Sequence, residues 1–242
     1  MNIGEEVLEI SGIIVDLTRK PIKNVHLSVH PPMGSVRLSV PSQMSTDVAR
    51  LAVIRRLKWI QQKRTEFEQQ ARESERLYIS GESHFFDGQR LILDVRETDG
   101  KGHASVIGNG RLALYVRKGA SQKMKSLIVD RFYRKHLQNL ISLMQPDWES
   151  KLLVSVEEIR IQRMKTRWGS CNPDTGRVLL NLELAKKPKK CFEFILVHEL
   201  VHLLERHHNQ HFISLMDGAM PDWRQRKELL KSYPLAYETW EY

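Results

Sequence analysis

The chain has little cysteine: Cys171 and Cys191 are too few for a disulfide scaffold and too far apart for a CxxC metal or redox motif. Both read as spectator thiols suited to a reducing compartment, so a cytoplasmic location is expected. No window approaches the roughly 20 apolar residues of a spanning helix. Even FILVHELVHLL carries a His-Glu pair that would be costly in lipid, so no membrane association is expected. The first residues, MNIGEEVLEISGIIVD, are acidic where an export signal is basic. No glycine-rich stretch matches GxxxxGK[ST], no segment is of low complexity, and no internal repeat is evident. Acidic residues are the minority, 29 against 38 basic ones, for a net charge of +9. This excess permits an acidic partner such as nucleic acid, but the bases are scattered through RRLKWIQQKR, RFYRKH and KKPKK and read mainly as solvated faces.

What is present suffices for a core: 41% of the 242 residues are hydrophobic, enough for one large domain or two small ones. VLEISGIIVD, VHLSVH and SVRLSV read as short strands, with turns supplied by Pro31, Pro32 and Gly34. After Pro41, Ser45 or Thr46 caps an expected single helix through DVARLAVIRRLKWIQQKRTEFEQQ, with Val48, Leu51, Ile54, Trp59 and Phe67 as its apolar stripe. More strands are expected between Leu77 and Val116. A second long helix starts at Ser121, carries Met124, Leu127, Ile128, Phe132, Leu137, Leu140 and Leu143 as core, and should end at Pro146. Two further strands flank CNPDTG. A helix follows through KKPKKCFEFILVHELVHLLER, and a short one through PDWRQRKELLKSY. The expected class is α+β, strand-rich in residues 1–116 with one long helix and mainly helical in residues 117–242, the two regions separate or continuous.

The chemistry concentrates at His198-Glu199-Leu200-Val201-His202, an HExxH sequence. Spacing i and i+4 puts the two imidazoles on one helix face, where they can grip one ion. Glu199 lies about 100° around the helix from His198, placed to reach a metal-held water as general base without being a ligand. Ile195, Leu196, Val197, Leu200, Val201, Leu203 and Leu204 make the setting apolar, so the polar groups would be costly without an ion. A catalytic zinc usually takes a third protein ligand. His207, His208 and His211 are candidates, with Glu205 a weaker one, and spacing alone does not choose among them. In an unbroken helix His208 would stand about 15 Å along the axis from His198, so the chain must turn back after Leu204 or Glu205, with Asn209 able to permit the turn.

RWGSC at 167–171, LLNLEL at 179–184 and VHELVHLLERHHNQHF at 197–212 together resemble the YgjP-like metal-dependent hydrolases, often grouped with M48-type and WLM zinc metallopeptidases. The N-terminal layout, with WI at 59–60 and SGESHFFDG, is similar more loosely. The resemblance implies a zincin-like C-terminal half whose HExxH helix is the active-site helix. It selects His208 as third metal ligand, six residues after His202 and followed by Phe212. It also implies Zn²⁺ as cofactor and a peptide or protein substrate. His207 and Ile213 depart from the family's usual residues. Glu205 replaces the glycine of metzincins, which argues against that group. Arg167, Trp168, Ser170 and Asn181 are either structural or line the site.

The expected function is therefore a zinc-dependent hydrolase, most simply a metallopeptidase using Glu199 as base. Two alternatives stand beside it: a metal-dependent nucleotide or phosphoanhydride hydrolase, and a DNA-associated protein with a protease site.

Overall fold

The structure, a computed structural model, describes residues 5–30, 34–69, 71–108 and 110–236. Contacts divide it into two compact units, one running to Ala71 and the other starting at Arg72.

In the first unit, strands β1 (Glu5–Ile10) and β2 (Ile13–Lys20) form a hairpin. Its two turn residues, Ser11 and Gly12, both have left-handed backbone, φ 51° and 74°, which is the twist a two-residue hairpin requires. β3 (His26–His30) and β4 (Ser35–Pro41) pair antiparallel, β2 and β4 pair parallel, and the sheet order is β1-β2-β4-β3. Pro31 and Pro32 lie outside the described residues. Alternation sends Val15, Leu17, Val36, Leu38 and Val40 to one buried face.

The single helix expected here is two, α1 (Thr46–Ile54) and α2 (Leu57–Gln69). At the step between them the Arg56 N–H donates to Val53 O, a tightened turn that lets α2 set off anew. The apolar stripe also differs: Ala49, Val53 and Ile60 are fully buried, while Val48, Leu51 and Ile54 are about half exposed. The small Ala49 brings the helix close to its neighbours, so fit decided the face rather than side-chain size.

The second unit opens with the same plan. β5 (Ser83–Phe86) and β6 (Gln89–Glu97) form a hairpin through Asp87 and Gly88, φ 48° and 79°. β7 (His103–Ile107) and β8 (Arg111–Val116) pair antiparallel, β6 and β8 pair parallel, and the order is β5-β6-β8-β7. The fold thus contains a repeat that was not evident in the sequence. Its trace there is short: His26-Leu27-Ser28-Val29 against His103-Ala104-Ser105-Val106, Gly34 and Gly110 before the last strand, and Ser45 and Ser121 before the helix.

Helix α3 (Gln122–Leu152) is capped by Ser121, whose hydroxyl accepts from Met124 N–H. It buries Ile128, Val129, Tyr133, Leu137, Leu140 and Ile141 and leaves Met124, Leu127 and Leu143 exposed, a correction to the expected stripe. It also runs through Pro146 rather than ending there. Beyond the proline Trp148 donates its indole N–H to Glu193 and Leu152 packs on the core, tertiary contacts that offset the roughly 3 kcal/mol of an internal proline.

Three strands follow, β9 (Glu158–Gln162), β10 (Gly169–Asn172) and β11 (Arg177–Asn181), in the order β10-β11-β9 with β10 at an edge. A 3-10 turn (Leu182–Lys186) leads into α4 (Lys189–Val201), then α5 (Gln210–Ala219) and α6 (Trp223–Ser232). The chain is α+β, with the strand-rich first half and more helical second half expected. Helix α4 is apolar nearly all round, as a helix enclosed by protein must be: Phe192, Leu196, Val197, Leu200 and Val201 are fully buried. Among the described residues no helix is long and apolar enough to cross a membrane.

Candidate metal centre

His198 and Glu199 sit in the last turn of α4, and His202 is its C-cap residue. The chain then turns back. Leu203 and Leu204 N–H groups donate to carbonyls three residues earlier, and Asn209 caps α5 by accepting from Phe212 N–H at 3.0 Å. This reversal brings His208 beside the other two histidines, so one nitrogen from each of His198, His202 and His208 lies within 4.8 Å of the others. His207, His211 and Glu205 are outside that group. Glu205 instead closes the turn: its carboxylate accepts from His207 N–H, and its carbonyl accepts from Nδ1 of His202 at 3.0 Å, which leaves Nε2 of His202 free.

Phe212 is the floor of the cluster. Its buried ring lies 4.7 to 5.0 Å, centroid to centroid, from all three imidazoles. Nε2 of His198 and Nε2 of His208 are 3.0 Å apart. Burial and the neighbouring imidazoles push His198 down to about 3, and His208 is lowered by the same causes, so both are neutral at pH 7 with lone pairs to offer. Three imidazoles converging this closely fit one divalent cation; separations between ligands in a tetrahedral zinc site are roughly 3.3 Å.

Glu199 is 5% exposed, and burial raises its carboxyl to about 8 against the opposing charge of Arg167. It lies against Gly169, where a Cβ would stand 2.5 Å from Glu199 Oε1 and 2.7 Å from its Cγ. Only glycine leaves that space. The need could not be read from the sequence, because nothing in the spacing of RWGS and HExxH pairs residue 169 with residue 199; Phe212 had a signal only in its position after His208.

The cavity, about 440 Å³, lies between β10 and the end of α4, with Trp168, Ser170 and Cys171 in its wall. Cys171 is held as a thiol, raised to about 11 by burial and by Glu199. Asn181 serves the wall rather than the cavity. Its side-chain amide donates to Met164 O and Arg167 O and its oxygen accepts from Met164 N–H and Glu183 N–H, which uses its bonding capacity and pins the loop ahead of β10. A larger groove in the first unit, about 550 Å³, has His26 in its wall but no cluster of metal-binding side chains among the described residues.

The family described as YgjP-like, metallopeptidase domain, matches residues 23–233, most of the chain, and the chain belongs to it. No curated protein matches the chain. Membership carries a metal-dependent peptidase character, a divalent metal and a peptide or protein substrate at the level of the family.

Proposed function

We propose that this member of the family is a zinc-dependent metallopeptidase, with His198, His202 and His208 as metal ligands and Glu199 as general base. The observation that carries the reading is the convergence of three imidazoles next to a buried carboxyl group in one open cavity. The donor set, all imidazole with room for a fourth position, suits zinc. Zinc held there would polarise a substrate carbonyl and lower the pKa of an attacking water toward neutrality.

The residues of the chain supply the rest. With the cation in place, Glu199 in its carboxylate form would take the proton of the attacking water and return it to the departing amine. Gly169 gives it room, and the Glu205 carbonyl fixes which nitrogen of His202 is free. β10 is an edge strand with Ser170 and Cys171 in the cavity wall, where an extended peptide can pair. The free thiols of Cys171 and Cys191 suit the cytoplasm, where they stay reduced.

The test combines metal content by elemental mass spectrometry with cleavage of peptides from an unstructured protein mixture. Wild type should hold one zinc per chain and cut; His208→Ala should lose the metal, and His207→Ala should keep it. Glu199→Gln and Gly169→Ala should keep zinc while turnover falls about 100-fold or more. Full activity of Glu199→Gln would sink the mechanism.

A further inference from the structure

Two more charged side chains stand in the wall of the metal cavity, Arg167 and Arg206. They come from different segments: Arg167 immediately precedes β10, and Arg206 lies in the turn between His202 and His208. Among the described residues neither guanidinium has a hydrogen bond or an ion pair. Several other arginines of this unit are paired. Arg163 holds Asp130 and Glu183, Arg224 holds Asp217, and Arg226 holds Asp222 and Glu193.

The nearest acids do not neutralise the pair. Glu205, adjacent to Arg206, turns its carboxylate to His207 N–H. Glu199 is the one acidic residue in the cavity wall, one carboxyl against two guanidinium groups. The main chain of Arg167 is fixed, since Asn181 donates to Arg167 O at 2.7 Å and to Trp168 O at 2.9 Å. The cavity therefore presents two planar forks, each able to pair an oxyanion through two parallel hydrogen bonds, beside a cluster suited to a cation. Its field favours a negative ligand.

We infer that Arg167 and Arg206 form an anion-binding subsite, so that the substrate carries an anionic group next to the bond that is cut. This rests on the metal-site reading above. The group is a carboxylate if the substrate is a peptide with Asp or Glu flanking the scissile bond, and a phosphoryl oxygen if the electrophile is a phosphoanhydride.

Zinc-loaded Glu199→Gln protein allows binding to be measured without turnover. Two labelled hexapeptides, alike except for Glu or Lys at the central positions, are compared by fluorescence anisotropy. The acidic peptide should bind about tenfold tighter or more, Arg206→Glu should narrow the gap, and Arg167→Glu with Arg206→Glu should reverse it, all at unchanged zinc content. Equal affinities, or an order the substitutions leave alone, overturn the inference. Competition then identifies the source: pyrophosphate displacing the bound peptide at lower concentration than unlabelled acidic hexapeptide assigns a phosphoryl group, and the reverse assigns a carboxylate. An acidic peptide that binds yet is never cut by wild type counts against the peptidase reading while the subsite stands.

Discussion

The two four-stranded sheets share connectivity, strand order and a two-residue hairpin turn, yet among the described residues the metal-binding cluster is found in the unit of the second and not in that of the first. The difference begins at that turn. In the first sheet a Cβ on Gly12 would meet nothing within 4 Å among the described residues. In the second the turn is a seat. Asp87 N–H donates to Ala185 O and Gly88 N–H to Lys186 O, while the Asp87 carboxylate takes His136 at 2.6 Å and Lys189 at 3.6 Å. The hairpin thus holds the 3-10 turn and the start of α4, the helix that bears His198 and Glu199. A second difference is length, nine residues in α1 against 31 in α3, which gives the second sheet a helix long enough to back both it and α4. The same plan became a platform for chemistry by what was attached to it.

The attachment depends on buried charge, and the largest effect should come from breaking it. Lys186 lies 2.7 Å from both Glu73 and Glu183, all three side chains nearly inaccessible, and burial is opposed by those two carboxylates, which hold the ammonium protonated. Lys186→Met leaves two carboxylates without their common partner. A loss of about 3–5 kcal/mol is expected, measured by denaturant unfolding, with faster amide exchange in residues 83–201 and little change in residues 34–69. An equal rise in both would break the comparison.

A smaller effect separates the two turns directly. Gly12→Ala should cost about 1–2 kcal/mol, the price of left-handed backbone alone. At Gly88 the added Cβ would also stand 2.7 Å from Pro188 Cγ and 3.0 Å from Tyr233 Oη. Overpacking adds roughly 1–3 kcal/mol, so Gly88→Ala should be the worse of the pair and should lower activity by shifting the start of α4. Matching losses in stability, with activity intact in both, would mean that the second turn is not a seat.

Much of the site was legible because HExxH is a local pattern: the periodicity of one helix sets its geometry. The return of His208 was half legible, since its distance along an unbroken helix demanded a turn, yet only the Asn209 cap and the closing role of Glu205 show how the turn is made. Gly169 was hidden because its reason is a contact across 30 positions of sequence. The helix faces failed for another reason. Val48, Leu51 and Ile54 of α1 are apolar yet about half exposed, whereas Ala49 and Val53 are the buried pair. The repeat escaped because it lives in hydrogen-bond pairing and positive φ, which few residue identities report.

Aligning the two hairpins at their turns places Leu8, paired with Val15, opposite His84, paired with Leu91, and both side chains are buried. The first sheet fills this position with hydrocarbon and the second with an imidazole. His84 Nε2 is buried with no hydrogen-bond partner among the described residues, and Glu82 lies 3.7 Å away. Burial lowers its pKa to about 4, with the Arg76 and Lys186 charges acting in the same direction and Glu82 and Glu73 against it. The unfolded chain therefore takes up this proton first, near the ordinary 6.5, so the stability tied to His84 is fully present above that value and declines as pH falls toward 4. Between pH 7 and 5.5 the loss should be about 1 kcal/mol, the smallest effect in this set. His84→Leu copies the first sheet and should flatten unfolding free energy against pH by that amount; an unchanged slope would place the protonation elsewhere and leave the two sheets alike in this respect.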